Sequence, residues 1–199
     1  SALLLLRLQN AARQAGAGAA SLPLHATRLG ESVVASTGVS IRRTRCSKAA
    51  LMAEAARPST IFAASTDGGY IYPSVLACMD GLYALGKVLE LVSLSDTPLS
   101  QSVAQVPVAH VAHLASECPW EAKGTVMRLM TERVRDGRVS LVDGVKVFLD
   151  HSEWALVLPD AEEPLFHVYA EANAGCRAQE LAEEYRQILE DTIVEARSA

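Results

Sequence analysis

Three carboxylates crowd one short run of this chain, Leu158-Pro159-Asp160-Ala161-Glu162-Glu163-Pro164, and a run so acidic repels anions instead of holding them. A phosphate dianion needs an arginine fork, hydroxyl donors and backbone N–H groups that can come close, and the run offers neither arginine nor hydroxyl. A second run, Ser65-Thr66-Asp67-Gly68-Gly69-Tyr70, carries Asp67, whose carboxylate could accept a hydrogen bond from a ligand hydroxyl. The same Asp67-Gly68-Gly69 also reads as a tight turn that uses positive φ before a strand. His110 and His113 stand three apart, a metal-ligand spacing on a helix, but their segment reads as extended and no neighbouring Cys or acid completes a set. His167, between Phe166 and Val168, reads as a sheet residue. Arg42, Arg43 and Arg45 form a small basic cluster that could meet an anionic ligand or an acidic surface, or simply be solvated. Gly16-Ala17-Gly18 follows a helical pattern and not a strand, so it is no dinucleotide loop.

Elements must position these residues, and the periodicities supply them. Leucines from Leu3 and alanines to Ala15 predict a first helix, ended by Gly16 and Gly18. Residues 20–24 then read as a strand, 27–35 as a helix stopped at Gly38, 39–44 as an alternating strand, 48–57 as a helix closed by Pro58, and 60–64 as a strand. A helix is expected over residues 75–94, with Leu76, Met79, Leu82, Leu85, Leu89 and Val92 forming its buried stripe. Strands alternating with helices imply a mixed or parallel sheet covered by helices, an α/β arrangement. The second half has another rhythm: strands near 108–114, 139–142, 145–149, 154–158 and 165–172, with helices over 120–135 and 177–196. That order implies an α+β unit, an antiparallel sheet with helices on one face. Domain boundaries are expected at residues 1–95 and 108–199, joined by a polar linker at 96–107.

Composition narrows the partners. The chain has 199 residues, half apolar and a fifth charged, enough for one good core or two small ones. A net charge of −5 gives no general attraction to nucleic acid or to an anionic membrane surface, so a protein or small-molecule partner is expected. Cys46, Cys78, Cys118 and Cys176 are scattered without a framework, as suits buried thiols in a reducing, cytoplasmic compartment. Arg7, Arg13 and Arg28 with no acid before Glu31 resemble a transit peptide, but a buried helix explains the same residues. The abrupt start without Met suggests a chain cut from a longer one.

Three stretches together resemble the C-terminal half, the third and fourth domains, of the α-D-phosphohexomutases, the phosphomannomutase and phosphoglucomutase family. Ile41-Arg42-Arg43-Thr44-Arg45 and Phe62 to Tyr70 resemble the family's Arg-Thr-Lys segment and its Glu-x-Ser-Gly sugar loop. Asp80-Gly81-Leu82-Tyr83-Ala84 resembles its Asp-Gly-x-x-Ala helix. Asp143-Gly144-Val145 and the run from Trp154 to Glu171 resemble its last domain, whose phosphate loop reads Arg-x-Ser-Gly-Thr-Glu-Pro. More narrowly, Cys118-Pro119-Trp120-Glu121-Ala122-Lys123-Gly124 resembles the mutase-like region fused behind a mannose-1-phosphate guanylyltransferase in some bacteria.

The resemblance implies a sugar loop at Thr66, Asp67, Gly68 and Gly69, with Thr66 and Asp67 standing where the family has Glu and Ser. It implies a degenerate phosphate loop: Leu158 for the Arg, Asp160 and Glu162 for Ser and Thr, Ala161 for the Gly, with Glu163 retained. The family's phosphoserine and its Asp-Gly-Asp-x-Asp-Arg magnesium loop have no counterpart, since the pairs Asp67-Gly68, Asp80-Gly81, Asp136-Gly137 and Asp143-Gly144 lack the further aspartates. No catalytic residue, metal ligand or cofactor is therefore expected here, and magnesium only if an upstream half carries the metal loop. The expected function is a non-catalytic structural or regulatory module beside a sugar-phosphate enzyme. The alternative is part of an active mutase whose serine and metal loop lie upstream. Expected partners are upstream domains of the same polypeptide, a sugar phosphate, or a second copy.

Overall fold

The computed structural model describes residues 3–5, 17–35, 37–134, 137–150 and 152–198. Residues 3–5 are helical and Leu5 is buried, while the rest of the expected first helix and Gly16 lie outside the described residues. The chain forms two compact units, Ser1–Val108 and Ala109–Ala199.

In the first unit, β1 (Gly18–Pro23), β2 (Val39–Thr44) and β3 (Thr60–Ala64) are parallel, and β4 (Tyr70–Ile71) joins antiparallel, in the order β2-β1-β3-β4. Central β1 is buried from Ala19 to Pro23 without alternation, as a strand covered on both faces must be. Helices α1 (Leu29–Val34) and α2 (Lys48–Ala55) make the crossovers, and α3 (Gly81–Ser93) and α4 (Leu99–Ala104) follow β4. Two starts are capped: the Ser47 hydroxyl accepts the Ala50 N–H at 3.2 Å before α2, and the Asp80 carboxylate accepts the Tyr83 N–H at 2.9 Å before α3. The mixed sheet expected of this half is present.

Two expectations for α3 fail. The helix begins at Gly81 and not near Val75, because Asp80 caps it and the segment before it turns back on itself in a Tyr72–Leu76 bridge. The predicted stripe is also on the wrong side. Leu82, Leu85 and Leu89 are 85%, 58% and 63% exposed, whereas Ala84 and Leu91 are buried, with Tyr83 and Val88 packed on the first unit's core. Small Ala84 lets the helix approach the sheet closely, and the larger leucines turn outward. The stretch expected to link the units, 96–107, contains α4, in which Ser102 is buried.

The second unit is an antiparallel sheet in the order β5-β9-β8-β7-β6, made of β5 (His110–Glu117), β6 (Arg138–Ser140), β7 (Val145–Phe148), β8 (Trp154–Pro159) and β9 (Leu165–Ala172). Helices α5 (Trp120–Arg133) and α6 (Gly175–Ser198) cover one face. Val145, Val147, Val157, Phe166 and Val168 point to Val126, Met130, Leu189 and Ile193, while Ala112, Ala155 and Ala170 meet Ala178, Leu181 and Ala182. The opposite face carries His113 from β5, His167 and Tyr169 from β9, and Trp154 from β8, whose indole N–H donates to Glu171. Among the described residues no helix is long and apolar enough to cross a membrane.

Register in this sheet depends on the turn before β7. Gly144 has φ +72°, and a Cβ there would lie 2.2 Å from the Val157 carbonyl oxygen, a backbone atom that cannot move aside. Gly144→Ala should therefore destabilise the chain by about 2–4 kcal/mol. Gly124→Ala, in helix α5 with open space around it, should stabilise by about 0.5–1 kcal/mol. Urea unfolding of both variants checks the pair, and equal midpoints would contradict the account.

Candidate functional site

The two runs singled out in the sequence lie in different units. Thr66, Asp67, Gly68 and Gly69 follow the carboxyl end of β3, next to the residues after β1, the edge of a parallel sheet where ligands bind. There Thr66 Oγ1 lies 2.6 Å from His25 Nε2, and the Ser65 N–H donates to the Gly69 carbonyl at 2.8 Å, closing the loop. Ser65 Oγ donates to the Asp67 carboxylate, which holds that carboxyl below the usual range. Lys48 Nζ stands 3.8 Å from Asp67, but both side chains are mostly exposed and the pair contributes little. Gly68 has φ +108°, as the turn requires. The loop is thus a self-closed turn in which Thr66 and Asp67 already have partners.

The basic residues of β2 are not a cluster. Arg42 and Arg43 are successive strand residues and point to opposite faces. Arg42 pairs with Glu54 at 3.2 Å and donates to Ser59 at 2.8 Å. Arg43 pairs with Glu31 at 2.7 Å and donates to the carbonyls of Ala26 and Thr27 at 2.8 Å each. Both guanidiniums hold crossover segments to the sheet.

In the second unit, Leu158 and Pro159 end β8 and the acidic run turns into β9. Two of its backbone N–H donors, those of Glu162 and Glu163, are taken by its own aspartate. Asp160 Oδ1 accepts the N–H groups of Glu162 and Glu163 at 2.7 Å each, and Asp160 Oδ2 lies 2.9 Å from His167 Nε2. The bond from the Glu162 N–H, with help from His167, holds the Asp160 carboxyl below its usual range. Lys123, buried near the start of α5, donates from Nζ to the carbonyls of Asp160 and Glu163 at 2.6 and 2.5 Å, and stacks on the Trp120 ring at 3.8 Å. The Cys118 N–H donates to Pro164 O at 2.7 Å. Leu158 is buried in the strand, and the side chains of Ala161, Glu162 and Glu163 face solvent. The turn therefore binds a carboxylate from within itself, where an anion-binding loop would leave its amides open.

His110 and His113 lie on opposite faces of β5, so the pair does not converge. His113 Nε2 instead lies 3.0 Å from His167 Nδ1, and its ring stacks on Tyr169 with centroids 4.4 Å apart. Among the described residues no three His, Cys, Asp or Glu side chains come together to hold a metal ion, and the four cysteines are unbridged. Of the Asp-Gly pairs, Asp80 caps a helix and Asp67 and Asp143 each stand in a turn, while Asp136 lies outside the described residues. Lys123 and the Asp160–His167–His113 line escaped sequence reasoning because they join residues 37 and 54 apart. A signal for Asp160 was present: an Asp followed by two free N–H groups at the second and third positions is an Asx turn.

No protein-family model matches the chain. It is 32% identical over 184 residues to the probable phosphoglucosamine mutase of Methanopyrus kandleri, covering 92% of this chain and 40% of that protein. The phosphoglucomutase/phosphomannomutase family protein of Burkholderia thailandensis superposes with a TM-score of 0.76 at 18% identity, over 96% of this chain and 41% of that one. The N-acetylphosphoglucosamine mutase of Aspergillus fumigatus gives a TM-score of 0.66 at 12% identity, over 96% and 43%. These structures share the fold of both units, and the chain spans about two fifths of the length of each relative.

Two variants test the loop. Asp160→Ala should lower stability by about 1–2 kcal/mol at pH 7, as for loss of a helix cap. Because the folded carboxyl titrates below its usual value, this contribution is present above about pH 4 and lost as pH falls through the folded pKa. Lys123→Met, which strands two carbonyls, should cost about 2–4 kcal/mol at pH 7. Urea midpoints at pH 7 and pH 3 check both; a deficit of Asp160→Ala that is equal at the two values would contradict the assignment.

Proposed function

We propose that this chain, which belongs to the C-terminal region of the α-D-phosphohexomutase family, acts as a module that does not itself grip phosphate, beside a sugar-phosphate enzyme. The observation that carries the reading is the Asp160 carboxylate seated on the N–H groups of Glu162 and Glu163. A phosphate entering the loop would have to displace that carboxylate and then sit beside it. At about 4 Å and an effective dielectric near 20, one such charge pair costs on the order of 4 kcal/mol, roughly a thousandfold in affinity. Leu158 supplies no guanidinium to offset the repulsion.

With the clamp closed, the scaffold's remaining uses are structural or regulatory: packing against upstream domains of the same polypeptide, or pairing with a second copy, in the cytoplasm. The resemblance of Cys118 to Gly124 supports a mannose-1-phosphate guanylyltransferase as the upstream enzyme. A second reading keeps catalysis: the chain would be part of an active phosphohexomutase whose serine and magnesium loop lie upstream. The similarity to a probable phosphoglucosamine mutase supports that reading, with a phosphoglucosamine as the substrate to test.

Calorimetry separates them. The chain should give no heat with millimolar mannose 1-phosphate or glucosamine 6-phosphate. The fourfold variant Leu158→Arg/Asp160→Ser/Ala161→Gly/Glu162→Thr, which restores an Arg-x-Ser-Gly-Thr-Glu-Pro loop, should bind at least tenfold more tightly. A dissociation constant below about 1 mM for the unmodified chain, or robust mannose 6-phosphate formation by the full-length parent given mannose 1-phosphate and glucose 1,6-bisphosphate, overturns the proposal.

A further inference from the structure

Helix α3 turns its larger apolar side chains away from its own core. Leu82, Leu85 and Leu89 are 85%, 58% and 63% exposed, and among the described residues every exposed large hydrophobic of the first unit lies between Val75 and Val108. Single leucines scattered over a surface are ordinary, whereas a stripe of them on one helix face marks a contact surface. At about 100° per residue, Leu82, Gly86, Leu89 and Ser93 fall within roughly 60° of one another, with Leu85 beside them. All five are exposed.

That face alternates large and small. Gly86 stands in mid-helix without a positive φ, and a Cβ there would meet nothing within 4 Å, so the isolated fold gives no reason for glycine in place of a better helix former. The Ser93 hydroxyl donates to the Glu90 carbonyl at 2.9 Å, so covering it strands no donor. The charges beside the stripe, Lys87 and Glu90, pair with each other at 2.9 Å. The face is therefore apolar and notched, with its flanking charges matched.

We propose that α3 packs antiparallel against α3 of a second copy of this chain, about a two-fold axis between Lys87 and Val88. That axis brings Leu82 of each copy level with Ser93 of the other, and Leu89 level with Gly86, so both leucines enter the gap above a small residue. Parallel pairing would set Leu82 on Leu82 and Gly86 on Gly86, ridge on ridge and gap on gap. Antiparallel alignment also places the N-terminus of each helix beside the C-terminus of the other, the favourable arrangement of the helix dipoles. Leu76 before α3 and Leu94 after it, 50% and 63% exposed, lengthen the apolar surface at its two ends. The five leucines expose roughly 600 Å² in each copy, so pairing buries about 1,200 Å² in all, the lower end for a specific interface. Pairing holds whether or not the acidic turn takes phosphate, and it is read by sedimentation where the turn is read by calorimetry.

Sedimentation velocity of the whole chain between about 1 and 200 µM tests the proposal, with a reversible dimer of dissociation constant on the order of 10 µM expected. Leu82→Glu and Leu89→Glu should each abolish the dimer while urea midpoints at low concentration stay parental, because both side chains are exposed. Gly86→Ala should raise the urea midpoint, since alanine favours helix, yet weaken pairing roughly tenfold by filling the gap. Ser93→Leu, which adds apolar surface, should weaken pairing as well, whereas non-specific association through the leucines would be strengthened by it. A chain that stays monomeric at the highest concentration, an unchanged dimer in Leu89→Glu, or pairing that Gly86→Ala and Ser93→Leu leave intact or strengthen overturns the proposal.

Discussion

The carboxylate of Asp160 bonded to the N–H groups of Glu162 and Glu163 is the contact on which the shape of the β8–β9 turn depends. A turn that presents successive amides must satisfy them with something negative or polar. Here the anion is covalently part of the turn, present at an effective concentration that no free ligand matches. Its second oxygen lies against His167, and Lys123 gathers the carbonyls of Asp160 and Glu163, so two amides and two carbonyls of the turn find partners within the unit. The same closure links the turn to the His113–His167 pair on the sheet face opposite the helices.

That closure leaves the scaffold intact. The apolar side chains of β7, β8 and β9 that meet α5 and α6 lie on the opposite face from His113 and His167, and none belongs to the turn. Packing of this kind accepts changes in a surface loop as long as register is kept, and register is set at Gly144, where backbone passes too close for a Cβ. Fold therefore does not by itself decide ligand chemistry, and the likeness of this chain to solved structures speaks for its fold.

Much of the architecture was legible in the sequence. Alternation marked β2 and a short apolar run marked β1, whereas the Asp80 cap passed unread and the helix that it starts at Gly81 was expected from residue 75. The leucine stripe of α3 misled because periodicity gives a face but not its direction: Ala84, the smaller residue, packs inward and Leu82, Leu85 and Leu89 turn out. The acidity of the 158–164 run was legible; that Asp160 caps its own turn was available in its spacing; that Lys123 and His167 complete it was not, since those contacts depend on how β9 and α5 come together in three dimensions. The arginines of β2 read as a cluster because one-dimensional proximity hides the alternation of a strand.

Following the amide resonances of Glu162 and Glu163 by ¹H–¹⁵N NMR while adding inorganic phosphate and then mannose 1-phosphate at pH 7 addresses the self-bound turn most directly. The account predicts that neither resonance moves at millimolar ligand, while both move as pH is lowered through the titration of Asp160. A saturable shift of either amide with phosphate at pH 7 would contradict it, because the N–H groups would then be open to an outside anion.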